Sequence, residues 1–180
     1  WADVAVKSQV TVSAAGQSIL DMARQGREDN LPFRIGSSMS EVRAAKGSAG
    51  NEVSEGNLAI ALYEDVSVRW DVKDILKQGQ AVYQIDFLDG AYGFEAGKTT
   101  LDEVRSALGC DHILTQLKYT GNSPKGERGM CSLVYAFDGE DGRNPLVLRF
   151  IFNGNTLRGV TLYDRAYADS VNLTPLSADA

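Results

Sequence analysis

The sequence predicts an α+β protein: a tandem repeat of one helix plus a three-stranded antiparallel sheet, helices on one face, with an N-terminal strand–helix extension. Three observations predict it. First, Phe33-Arg34-Ile35-Gly36 and Phe94-Glu95-Ala96-Gly97 each open a polar turn. The turn leads into Glu41-Val42-Arg43-Ala44-Ala45 in one copy and Glu103-Val104-Arg105-Ser106-Ala107 in the other, and each copy closes on a glycine, Gly47 or Gly109. Self-similarity of this kind sets the architecture before any local reading does. Second, each copy is followed by runs of alternating apolar residues, the period-two signature of half-buried strands. Third, 180 residues with 43% hydrophobic and 23% charged composition are enough to build a core without metals or many disulfides.

Four segments follow: an extension over 1–32, a first repeat over 33–89, a second over 90–165 and a loose polar tail over 166–180. In the extension, Val4, Val6, Val10 and Val12 share one parity and predict strand. Ser13 suits an N-cap, Ile19, Leu20, Met22 and Ala23 give a helical stripe from Ala14 to about Gln25, and Gly26 stops it. In the first repeat, Ser38 or Ser40 caps a short helix that ends at Gly47. The run from Ser48 to Gly56 reads as loop. Strands are predicted at Leu58–Leu62, Val66–Val72 and Val82–Leu88. In the second repeat, Thr100 with Glu103 forms a capping-box pattern. A turn-rich loop spans 117–129, and strands start at Leu133, Leu146 and Leu157, the last two joined through Asn153-Gly154.

A net charge of −6 and an isoelectric point near 4.8 disfavour nucleic-acid binding, which shows as a basic patch. No apolar run approaches the roughly 18 residues of a membrane span. The chain begins at Trp1, consistent with a removed signal peptide. Cys110 and Cys131 allow one disulfide, as an oxidising compartment would favour, or stand as two buried thiols.

The motif Gly97-x-Thr99-x-x-x-x-Val104-x-x-x-Leu108-Gly109 resembles that of the beta-lactamase-inhibitor-protein family and, more distantly, the outer-membrane-assembly lipoproteins of the SmpA/OmlA (BamE) type. The segment from Phe137-Asp138 through Phe150-Ile151-Phe152-Asn153-Gly154 to Tyr163-Asp164 is similar to the last three strands of the inhibitors. The resemblance spans about 33–164. It implies a binding module outside the cytoplasm, periplasmic or secreted. Cys110 fits the inhibitor pattern, but the slot of the later cysteine is Ala136 here, with Cys131 five residues earlier. The hairpin tip from Asp138 to Pro145 carries no aromatic residue, so inhibition of a beta-lactamase is not implied.

Chemical alternatives are weaker. Gly93 to Thr99 sits between a strand and a helix as a P-loop would, but three residues separate Gly93 from Gly97 where a phosphate cradle needs four. Asp138, Glu140 and Asp141 lack EF-hand spacing. His112, the single histidine, neighbours Cys110 and Asp111 at an expected helix end, which sets up no proton relay. Of Glu64, Asp65, Asp71, Asp74, Asp86 and Asp89, nothing selects a glycosidase pair. The chain therefore reads as a non-enzymatic, exported protein-binding module with no cofactor and no metal. An envelope scaffold or outer-membrane assembly factor is the alternative, and a hydrolase the more remote one. The binding residues would be the strand aromatics Trp70, Tyr83, Tyr135, Phe150 and Tyr163, and the acids Glu64, Asp65 and Asp141 at turns. On the strand after Pro145, Leu148, Phe150 and Phe152 share one face and Val147, Arg149 and Ile151 the other. Arg149 marks the open side, which argues that Phe150 belongs to the core.

Overall fold

The computed structural model describes residues 2–4, 12–72, 80–109, 112–115, 131–139, 142 and 144–166. Three helices, α1 (Ala14–Arg24), α2 (Met39–Lys46) and α3 (Leu101–Leu108), pack on a sheet. The strands are β1 (Ala2–Val4), β2 (Asn51–Glu55), β3 (Leu58–Leu62), β4 (Val66–Asp71), β5 (Val82–Phe87), β8 (His112–Thr115), β9 (Cys131–Phe137), β10 (Leu146–Asn153) and β11 (Thr156–Asp164). A short separate ribbon pairs β6 (Gly90–Ala91) with β7 (Phe94–Glu95).

The expected tandem of helix plus three-stranded sheet is not what the chain forms. The strands make one continuous antiparallel sheet in the order β1-β8-β9-β10-β11-β5-β4-β3-β2. Seven of these strands have five or more residues, and β1 and β8 are shorter. The seam is the β11–β5 pairing, where Val160, Thr161, Leu162 and Tyr163 oppose Phe87, Asp86, Ile85 and Gln84. The physical reason is edge satisfaction: a three-stranded sheet leaves two open edges and a thin core, and pairing β5 with β11 removes one edge from each half and merges the two cores. Two strands of the sheet were not expected, nor was the β6–β7 ribbon. The run from Ser48 to Gly56, read as loop, contains β2, and His112 lies in β8 opposite Val134 rather than at a helix end. The expected 117–129 loop and nearly all of the 166–180 tail lie outside the described residues.

Local chemistry explains the helices. Ser13 accepts from the Gly16 N–H at 2.9 Å and opens α1. At α2 the capping box closes both ways: Ser38 Oγ accepts from the Glu41 N–H (3.2 Å) and Glu41 Oε2 from the Ser38 N–H (2.8 Å). At α3, Thr100 Oγ1 accepts from the Glu103 N–H at 3.2 Å. Both short helices end on a glycine with positive φ, 78° at Gly47 and 73° at Gly109. Helix α1 lies against α3 so closely that a Cβ on Gly16 would sit 1.9 Å from the Ala107 carbonyl oxygen, and only glycine fits.

Val42, Met39, Val104, Leu108 and Ala23 from the helices join one parity of the sheet in a single core. That parity comprises Val66, Val68 and Trp70 on β4, Leu133 and Tyr135 on β9, and Leu148, Phe150 and Phe152 on β10. Phe150 is 0% exposed and meets Phe94 and Tyr135 edge-on, at 5.6 and 6.0 Å between ring centroids. The Tyr135 hydroxyl donates to the Gly109 carbonyl at 2.8 Å, tying the sheet to the end of α3. All three helices thus cover one face, and among the described residues the other is helix-free.

Candidate binding surface

The helix-free face is built from the opposite parity. Ser67, Arg69 and Asp71 point there from β4, and Gln84 and Asp86 from β5. Thr161 and Tyr163 come from β11, Val147, Arg149 and Ile151 from β10, and Ser132 and Val134 from β9. Register brings them into rows: Val134, Arg149, Thr161, Asp86 and Ser67 lie side by side across five strands.

Asp86 is the hub of this face. It accepts from Thr161 Oγ1 at 2.9 Å and from Gln84 Nε2 at 3.0 Å, and Arg69 Nε stands 3.5 Å from its Oδ2. Arg149 donates through Nε to Ser132 Oγ at 2.9 Å. Burial pulls the Arg149 guanidinium below its ordinary value, partly offset by Tyr163. Burial pushes the Tyr83 phenol up to about 12, against the pull of Arg69 and reinforced by Asp71 and Asp86. The surroundings of Tyr83 place it on this face, separate from the core. The cause is a one-residue register shift between Arg69 and Trp70, where Trp70 pairs with Val82 and Arg69 with Gln84.

Towards β2 the face turns apolar and open. Val53 opposes Ile60, and Leu58 and Leu62 flank Ile60 on β3. Val53 is 46% and Leu62 38% exposed. This row borders Arg69 and Ser67, the register partners of Ile60 and Leu62 on β4.

Among the described residues, the expected binding residues fall into three groups. Trp70, Tyr135 and Phe150 are buried in the core beneath the helices and offer no area to a partner. Arg43 stacks over Trp70, 5.9 Å from the ring centroid. Tyr83 and Tyr163 do lie on the helix-free face, but both are buried within it. Glu64 and Asp65 are exposed at the β3–β4 turn. Lys46 Nζ contacts both Asp65 carboxylate oxygens, at 2.7 and 2.8 Å. Burial works against that carboxylate, but the Lys46 ammonium and the backbone N–H groups of Asp65 and Val66 outweigh it and hold its pKa below the ordinary range. Asp141 and Cys110 lie outside the described residues, as do Glu140 and Asp111. Cys131 opens β9, and the Cys110–Cys131 pairing falls outside the description with Cys110.

Sequence reasoning missed Arg69, Asp86, Thr161 and the row Val53, Ile60, Leu62. Their signal was present in part: Arg69 breaks the apolar parity of Val66, Val68 and Trp70, as Arg149 does on β10.

The turn that resembles a phosphate loop is closed on itself. The Gly97 N–H donates to Leu157 O (2.8 Å), Thr99 N–H to Glu95 O (2.9 Å), and Lys98 Nζ pairs with Glu95 Oε2 at 2.9 Å. These N–H groups are committed to the fold and do not converge on an anion. Elsewhere, a cleft of about 350 Å³ opens beside Gln25, Arg34, Asn144 and Asp164. In it, Asp164 accepts from Asn144 Nδ2 at 2.9 Å. Among the described residues no three His, Cys, Asp or Glu side chains converge as metal ligands would. No helix among them is long and apolar enough to cross a membrane. No protein-family model, curated protein or solved structure matches this chain.

Proposed function

We propose that the chain is a non-enzymatic protein-binding module, exported to the periplasm or secreted, that engages another protein through the β2–β3 end of its helix-free face. The observation that carries this reading is the open row Val53, Leu58, Ile60 and Leu62 on the sheet, bordered by the Arg69–Asp86 pair. An apolar strip rimmed by paired polar groups is the composition of an interface centre, and a hydrogen-bonded sheet presents it at little ordering cost. The resemblance of the Gly97–Gly109 motif to the beta-lactamase-inhibitor-protein family supports the same class and the same compartment. The target is defined by complementarity: a surface with an apolar ridge flanked by charges of both signs.

The test is affinity capture from the native host with the wild type and an Ile60→Asp/Leu62→Asp variant, quantified by mass spectrometry. A specific protein retained by the wild type and depleted at least tenfold by the variant, whose fold is intact by circular dichroism, is the expected result. Equal retention by both, or turnover of a small substrate with no protein retained, would overturn the reading.

A further inference from the structure

We propose that the free edge of β2 pairs with the β2 edge of a second copy of this chain, antiparallel and centred on Val53. Among the described residues nothing pairs with this edge, since β2 ends the sheet order. The hydrogen-bond phase shows which groups are available. The Tyr63 N–H donates to Val66 O and the Val72 N–H to Asn57 O. The odd-numbered residues of β3 are therefore committed to β4, and Leu58, Ile60 and Leu62 turn their backbone groups to β2. Their partners Glu55, Val53 and Asn51 point inward. Glu52 and Ser54 are left with N–H and C=O groups facing outward.

Sheet edges are normally blunted by proline, lysine, a bulge or a covering segment. The sequence Asn51-Glu52-Val53-Ser54-Glu55 has no proline and no lysine, its register with β3 runs without a shift, and Asn51 to Ser54 are exposed. The edge is also self-complementary. A two-fold axis at Val53 sets Glu52 opposite Ser54 and Asn51 opposite Glu55, so no like charges face each other across the strands. On the helix side, Arg43 stands 3.3 Å from Glu52, so each copy brings a balanced ion pair to the junction. On the helix-free side, the Ile60–Val53 pair of one copy continues into the Val53–Ile60 pair of the other. The pairing adds four main-chain hydrogen bonds, through Glu52 and Ser54 of each chain. A contact this small belongs below the roughly 1,200 Å² of stable interfaces, so association is weak and concentration-dependent. It lies beside the surface assigned to another protein and does not depend on that assignment.

Register can be read by disulfide trapping in the full chain, with the links mapped by mass spectrometry to keep the native cysteines apart. V53C places its thiol opposite itself at a non-hydrogen-bonded pair, where Cα atoms approach to about 4.5 Å, within disulfide reach. It should give a dimer linked through position 53. N51C alone should stay unlinked, and N51C mixed with E55C should give the mixed dimer. In parallel, sedimentation velocity of the wild type should show a monomer–dimer equilibrium. S54P should lower the dimer fraction at least tenfold while keeping the fold, because the Ser54 N–H it removes faces outward and serves no internal ladder bond. A wild type that stays monomeric up to about 1 mM, the concentration at which contacts of roughly 4 kcal/mol become half-populated, would overturn the proposal. So would a dimer that survives S54P, or N51C linking to itself in preference to E55C.

Discussion

The two ends of the helix-free face both carry branched apolar residues and behave differently. At the β9–β11 end, Val147 is 0%, Val134 4% and Tyr163 8% exposed. At the β2–β3 end, Val53 is 46% and Leu62 38% exposed. Both ends carry branched apolar residues on this face, and both are backed by the same helix-side core. The difference shows where a partner has area to gain. Burying Val147 adds nothing, because no water-facing surface is left to remove. Covering Val53 and Leu62 removes apolar area worth roughly 25 cal/mol per Å² before the costs of association. Between the two ends runs the Asp86 network, which ties β4, β5 and β11 side by side.

One substitution applied at both ends breaks the comparison most sharply. Val147→Asp places a carboxylate where no solvent reaches and should cost more than about 4 kcal/mol, enough to leave little folded protein, measured by urea denaturation. Asp86→Ala tests the region between. It strips Thr161 and Gln84 of a shared acceptor and Arg69 of its ion-pair partner, and should cost about 1.5–3 kcal/mol, near the lower figure because the Asp86 side chain keeps 20% exposure.

A smaller effect is expected at the β3–β4 turn. The folded-state pKa of Asp65 is depressed below its ordinary 3.8. Its contribution is therefore present above that ordinary value and is lost as pH falls through the lower folded value. With the Asp65 side chain 50% exposed, the contribution stays below about 1 kcal/mol and is screened by salt. Thermal unfolding of Lys46→Ala against wild type should show a stability difference at pH 6 that closes on acidification below the ordinary carboxylate range. Leu62→Asp should have the smallest effect on stability, within about 0.5 kcal/mol, and a large one on binding.

How much of this was legible in the sequence differs by residue, for physical reasons. The two faces of β10 could be read, since Leu148, Phe150 and Phe152 alternate strictly with Val147, Arg149 and Ile151. The helix caps could also be read, because a capping hydroxyl and a terminal glycine act within one turn of chain. Strand β2 could not. An edge strand with solvent on one face and only Arg43 reaching Glu52 on the other needs a single apolar residue, Val53, and such a segment looks like loop. Tyr83 misleads for another reason: it shares parity with Ile85 and Phe87, and the register shift opposite Arg69 moves it to the other face. The merging of the strands into one sheet is set by the pairing of β5 with β11, residues more than seventy apart in the chain. No local pattern encodes that choice. Aromatic residues alone also fail to name a binding face, because Trp70 and Phe150 belong to the core beneath the helices.

The measurement that tests the central claim most directly is site-specific photo-cross-linking in the native host. A benzophenone side chain would be placed at Leu62 on the helix-free face or at the exposed Ala44 on α2. The account predicts one reproducible adduct with a different protein from position 62 and none from position 44. Adducts of the same protein from position 44, with none from position 62, would contradict it.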